Sequence, residues 1–208
     1  CVGRPVPPNE VRIIAIDDAP IADWSQARQL PAGEVGEITV AGPTATDAYF
    51  NREAATAAAK IRERLADGSE RIVHRMGDVG YFDGQGRLWF CGRKTQRVET
   101  AQGPLYTEQV EPVFNAHPRV RRTALVGVGA PGAQRPVLCM ELQPGVDPAG
   151  FPAIEAELRQ LAASHGGPAA RIDTFRVHPS FPVDIRHNAK IGREKLAEWA
   201  AAGMGARA

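Results

Sequence analysis

The sequence predicts an α+β protein in two parts, a β-rich stretch over residues 1–92 and a mixed helix-and-strand unit over residues 93–208. Three observations carry this. Short β-branched runs bounded by Pro, Gly and Asp dominate the first part, as in strands. Apolar residues at helical spacing alternate with strand-like runs in the second. The rhythm changes after Gly92-Arg93, which marks the boundary. With 208 residues and 43% hydrophobic content the chain can bury a core, and its length suits two small units better than one large one.

Residues 11–16 (VRIIAI) and 36–40 (GEITV) read as strands joined by a polar, Pro-containing connection. Residues 52–65 are alanine-rich, with Ile61 and Leu65 four apart on one face, and read as a helix closed by Ala66-Asp67-Gly68. Residues 71–93 read as strand, turn, strand, because Asp83-Gly84-Gln85-Gly86 is a strong hairpin signal between Tyr81-Phe82 and Leu88-Trp89-Phe90. In the second part a helix is expected over 108–115, with Val110, Val113 and Phe114 on one face, then strands over 122–128 and 136–142. A helix over 152–164 with the stripe Ile154, Leu158 and Leu161, a strand over 172–177 and a helix over 193–201 complete a unit of ordinary domain size.

Twenty-five Lys plus Arg against 24 Asp plus Glu leave a formal net charge of +1, so no global field gathers nucleic acid or anionic membrane. A small charged ligand at a local site remains compatible with that balance. No apolar run approaches the roughly 20 residues of a membrane-spanning helix, and the N-terminus has no signal-peptide pattern, so a cytoplasmic protein is expected. Cys1, Cys91 and Cys139 are odd in number and far apart with no CxxC pair, which suits a reducing compartment and argues against structural zinc. Cys91 and Cys139 lie in apolar runs and are expected in the core. The opening Cys1-Val-Gly-Arg-Pro-Val-Pro-Pro reads as mid-protein loop, so an upstream portion is expected before it.

Three separated stretches carry the chemistry. They are Gly33-Glu34-Val35-Gly36-Glu37-Ile38-Thr39-Val40-Ala41-Gly42 leading to Tyr49-Phe50-Asn51; Met76-Gly77-Asp78-Val79-Gly80-Tyr81-Phe82-Asp83 followed by Gly86-Arg87-Leu88-Trp89-Phe90-Cys91-Gly92-Arg93; and Asn188-Ala189-Lys190-Ile191-Gly192-Arg193-Glu194-Lys195-Leu196. Alone, the Gly-Asp step reads as a turn at a strand end, Arg93 as a surface arginine ending a strand, and Lys190 as a solvated lysine beside Arg186, His187, Arg193 and Lys195.

The ordered set resembles the adenylate-forming superfamily of acyl-CoA synthetases, luciferases and peptide-synthetase adenylation domains, over essentially the whole chain. The resemblance implies the β-rich end of an N-terminal adenylate-forming domain over 1–92, followed by a small mobile α+β C-terminal domain over 93–208. The hinge is then expected near Lys94 and Thr95. It also implies that Asp78 accepts hydrogen bonds from both ribose hydroxyls of ATP, and that Arg93 offers a planar fork to ribose or phosphate oxygens. Lys190 is implied as the cation that offsets repulsion while a carboxylate attacks the α-phosphorus. Mg2+ would travel on the phosphates, with no protein metal site. No Gly/Ser/Thr-rich phosphate loop precedes Asp78, so the missing N-terminal portion of the same enzyme is an implied partner.

Several positions depart from that pattern. Thr95 stands where the family usually has Asp or Lys, Glu99 where a lysine is common, and Gly103 comes one place late and is followed by Pro104. In thioester-forming members this loop helps line the pantetheine channel, for which proline and an acidic side chain are a poor copy. Asn188-Ala189 precedes the lysine in place of Ser-Gly. The wording His74-Arg75-Met76-Gly77-Asp78, Gly92-Arg93-Lys94-Thr95-Gln96-Arg97-Val98 and Glu99-Thr100 looks most like the β-lactone synthetases of bacterial long-chain olefin biosynthesis. That resemblance implies activation of a 2-alkyl-3-hydroxy fatty acid as acyl-AMP and closure to a β-lactone without CoA, with other olefin-pathway enzymes as further partners. The alternatives are a long-chain fatty acyl-CoA ligase, which requires CoA, and a non-catalytic binding module derived from such an enzyme.

Overall fold

The computed structural model describes residues 1–184 and 190–205, with side chains through residue 203. The chain divides into two compact units, Cys1–Thr95 and Gln96–Ala208.

The first unit is built on an antiparallel sheet of β1 (Glu10–Ile14), β2 (Gly36–Ala41), β3 (Lys60–Arg64), β4 (Glu70–Phe82) and β5 (Leu88–Arg93). The order is β1-β2-β4-β3, with β5 pairing the C-terminal half of β4. Thus β3 and β5 share one edge of the long β4, while β2 takes the other. The expected turn at Asp83 forms because its carboxylate accepts from the backbone N–H of Gln85 and Arg87, both at 2.9 Å. The core of this unit is Ile14, Ile21, Ala41, Ile61 and Val73.

The helix expected over residues 52–65 is shorter than its composition implies. Helix α1 covers Glu53–Ala59, and from Lys60 the chain becomes β3, paired antiparallel with β4 from Lys60↔His74 to Arg64↔Glu70. Tertiary partners override the alanine-rich propensity here. Ile61 is fully buried in the sheet core, and the Glu63 carboxylate receives Arg12 at 2.6 and 2.7 Å and Arg71 at 2.7 Å, partners that a helix could not reach in this arrangement. The expected closing Asp67-Gly68 is instead the tip of the β3–β4 hairpin. Gly68 adopts φ +83° there, and Asp67 Oδ1 accepts from Ser69 N at 2.9 Å.

In the second unit, β8 (Val120–Val128) and β9 (Arg135–Leu142) form an antiparallel pair, and β10 (Phe175–Val177) lies parallel to β9. A short hairpin of β6 (Val98–Thr100) and β7 (Gly103–Leu105) leads into α2 (Thr107–Asn115). Helix α3 (Phe151–His165) follows β9. A two-stranded ladder of β11 (Val183–Asp184) and β12 (Lys190–Ile191) precedes α4 (Arg193–Gly205).

Both faces of the β8–β9 pair are covered, which explains its nearly continuous apolar runs. Leu125, Leu138 and Met140 join Val110 and Phe114 of α2 and Ile154 and Leu158 of α3 in one cluster. Ala124, Val126, Val137 and Cys139 join Phe181 with Leu196 and Ala200 of α4 in another. Ala162 completes the buried stripe of α3, whereas Leu161 is half-buried. The strand expected over 172–177 is limited to Phe175–Val177, because a 3₁₀ turn over Gly167–Arg171 first delivers Ala169 and Ile172 to the core. Among the described residues no helix is long and apolar enough to cross a membrane. Cys91 and Cys139 are buried, at 1% and 0% exposure, as their apolar settings predict.

Candidate functional site

Asp78 and Arg93 are brought face to face by sheet register. They are direct partners across β4 and β5, at the mouth of the gap that β3 and β5 leave along β4. A β-bulge sets this pairing: Val79 opposes Gly92 and Gly80 opposes Phe90, so Cys91 is the extra residue. Gly80 permits it, since a Cβ there would stand 2.4 Å from the carbonyl oxygen of Trp89.

Arg93 Nη1 lies 2.8 Å from Asp78 Oδ1, with the aspartate side chain 19% exposed and the arginine 59%. That contact is an ion pair by distance but not an aligned hydrogen bond, and Oδ1 is buried without one. Burial pushes the Asp78 carboxyl above its ordinary value, and the neighbouring guanidinium only partly opposes this. The arrangement is a recessed acceptor lacking an aligned donor, beside an exposed planar cation. It suits a ligand that presents hydroxyl donors to the carboxylate and anionic or polar oxygens to the guanidinium.

The next residues begin a 3₁₀ turn over Lys94–Gln96, and Thr95 is the last residue of the first unit. Lys94 Nζ donates to Glu37 Oε2 at 3.2 Å and to the carbonyl of Asp17 at 3.0 Å. Glu37, 1% exposed on β2, also receives Arg75 Nε at 3.1 Å and Nη2 at 2.7 Å. Arg75 is in turn held by the carbonyls of Asp17, Ala19 and Ala58. This buried cluster escaped the sequence reading; a charged residue inside the alternating GEITV run was its only signal.

Lys190 stands in the second unit, exposed, as the first residue of β12 and paired with Asp184 of β11. Its preceding motif residues Asn188 and Ala189 lie outside the described residues. On its C-terminal side, Gly192 N donates to the Pro182 carbonyl at 2.7 Å and α4 starts at Arg193. The Arg193 guanidinium meets the buried Glu111 of α2 at 2.5 and 3.1 Å, a pair the sequence did not reveal.

The departing loop is an ordered hairpin. Glu99 and Gln134 exchange hydrogen bonds at 2.8 and 2.9 Å, Arg97 Nη2 lies 2.5 Å from Glu99 Oε1, and Arg171 donates to Thr100 Oγ1 at 2.6 Å and to the Gly103 carbonyl at 2.8 Å. Gly103 adopts φ +94°, with open space where a Cβ would be, so backbone conformation and not close packing demands the glycine. Among the described residues no group of three or more His, Cys, Asp or Glu side chains could hold a metal ion.

No family model matches the sequence. The chain is 73% identical over 201 residues to an olefin beta-lactone synthetase of Xanthomonas campestris pv. campestris, covering 97% of this chain and 36% of that protein. It is 74% identical over 208 residues to an olefin beta-lactone synthetase of Stenotrophomonas maltophilia, covering 100% of this chain and 37% of the relative. The chain therefore spans little more than a third of the length of these relatives. Among solved structures, the amide bond synthetase McbA from Marinactinospora thermotolerans superposes with a TM-score of 0.69 at 30% identity, covering 95% of this chain and 36% of that one.

Proposed function

Because this chain belongs to the adenylate-forming superfamily and matches olefin beta-lactone synthetases along nearly its whole length, we propose that it is the lysine-bearing C-terminal part of an enzyme that activates a fatty acid with ATP. The identity of 73–74% across 97–100% of the chain carries the reading. The substrate we propose is a 2-alkyl-3-hydroxy fatty acid, converted to acyl-AMP with release of pyrophosphate. Its own 3-hydroxyl oxygen then attacks the acyl carbon and gives up its proton to solvent, the bond between the acyl carbon and the phosphate oxygen breaks, and AMP leaves as the β-lactone forms. Placing nucleophile and electrophile in one molecule can contribute roughly 7–11 kcal/mol in well-oriented cases, against which the strain of a four-membered ring acts.

Each residue has a separate task in this reading. Asp78 accepts the ribose hydroxyls, which fits its recessed oxygen without an aligned donor. Arg93, exposed beside it, offers its fork to ribose or phosphate oxygens. Lys190 donates to the acyl and phosphate oxygens as two anions approach. Lys94 and Thr95 lie at the joint about which the second unit turns, bringing the lysine in for adenylation and withdrawing it afterwards. Mg2+ would accompany ATP, bound through its phosphates.

The test uses the enzyme with its upstream portion, supplied with ATP and a 3-hydroxy fatty acid, with and without CoA. Lactone formed without CoA supports the proposal, and strict CoA dependence overturns it in favour of an acyl-CoA ligase. Nucleotide binding without pyrophosphate release would indicate a binding module. Lys190→Ala is expected to slow ATP–pyrophosphate exchange by roughly 100- to 1000-fold, the usual effect of deleting an electrostatic donor.

A further inference from the structure

We propose that Glu111, acting through Arg193, is the positioning residue that aims the lysine-bearing segment, a role that rests on the assignment of Lys190 above. Glu111 faces inward from α2 and is 7% exposed. Its Oε1 lies 2.5 Å from Arg193 Nη1 and also accepts from the Leu125 backbone N–H at 2.8 Å, while Oε2 lies 3.1 Å from Arg193 Nη2. Arg193 Nη1 additionally donates to the Leu125 carbonyl at 3.1 Å. The guanidinium is thus held by two side-chain oxygens of one element and a backbone oxygen of another, which fixes its orientation as a single contact would not.

Arg193 opens α4 and follows Lys190 by three residues. A chain of that length spans at most about 11 Å, so an anchored Arg193 confines the lysine's backbone to a small region. Gly192 tightens the link by donating to Pro182, and Ile191 packs against the cluster of Phe181 and Leu196. Two features argue that orientation, rather than stability, accounts for the pair. A cation in the first turn of a helix opposes the helix macrodipole. A buried ion pair also gains little over well-packed apolar residues, because both charges lose their water; burial indeed pushes the Glu111 carboxyl up despite Arg193.

The experiment compares Glu111→Gln, Lys190→Ala and the double variant in the full enzyme by ATP–pyrophosphate exchange, with thermal melts alongside. Misplacing a reacting group by about 1 Å can cost roughly 100-fold, so Glu111→Gln is expected to lower the exchange kcat by about tenfold or more with the KM for ATP unchanged. In the Lys190→Ala background the same change should have no further effect, since there is no amine left to aim. Arg193→Lys, which keeps the charge and loses the fork, is expected to show the same pattern with a smaller loss and serves if Glu111→Gln does not fold. An equal loss with and without Lys190, or full exchange activity in Glu111→Gln while Lys190→Ala is impaired, overturns the positioning role. Full exchange activity in Lys190→Ala overturns the assignment of the lysine and this role with it.

Discussion

Replacing Glu37 by glutamine preserves volume and removes a negative charge that Arg75 and Lys94 share. The three side chains are 1%, 2% and 13% exposed, with contacts of 2.7 Å from Arg75 and 3.2 Å from Lys94. Removing one partner of a buried ion pair costs about 3–5 kcal/mol, because the other charge stays buried without compensation. Arg75 keeps the carbonyls of Ala19 at 2.7 Å and Ala58 at 3.3 Å, and glutamine still offers an acceptor, which places the expected loss near the lower end, about 3 kcal/mol. With a urea dependence of about 1–3 kcal/mol per molar, the midpoint should fall by roughly 1–3 M. Trp24 and Trp89 lie in the first unit and Trp199 in the second, so fluorescence in a Trp199→Phe background reports on residues 1–95. Glu34→Gln, at an exposed position nearby, should stay within about 0.5 kcal/mol. A midpoint shift worth less than about 1 kcal/mol would refute the premise that Glu37 neutralises these two cations.

Three further outcomes follow from other parts of the molecule. Because burial raises the Asp78 carboxyl, its ionised form is disfavoured in the folded chain; that penalty is present at pH above the raised value and relieved as pH falls. Asp78→Asn should therefore leave the chain at least as stable near pH 7, with the difference narrowing toward acid pH in thermal melts, while calorimetry of the full enzyme shows ATP binding weakened by about tenfold. Leu158→Ala, at a site with 0% exposure between α3 and the sheet, should cost about 2–5 kcal/mol by denaturant titration. An aromatic disulfide reagent at pH 8 should modify Cys1 alone in the folded chain and all three thiols in denaturant, since Cys91 is buried and burial pushes Cys139 up to about 12.

What the sequence determined by itself is what local chemistry encodes. Asp83-Gly84-Gln85-Gly86 makes its turn through its own carboxylate and Gly86 at φ +71°, so the β4–β5 hairpin was legible, as were Ile154 and Leu158 of the α3 stripe. The ordered motifs are also what nominates Asp78, Arg93 and Lys190 for the proposed chemistry. Tertiary structure decided the rest. Residues 60–64 become a strand because Ile61 and Glu63 find partners on β1 and β4, which no local preference for helix could register. Arg93 stands opposite Asp78 because a bulge at Cys91 sets the register, and Glu37 and Glu111 are buried charges whose cations lie 38, 57 and 82 residues away in the chain. Turns and helical stripes are satisfied within a few residues and leave a local trace. A buried carboxylate is satisfied only by whichever cation the fold carries to it, and that pairing exists only once the chain has packed.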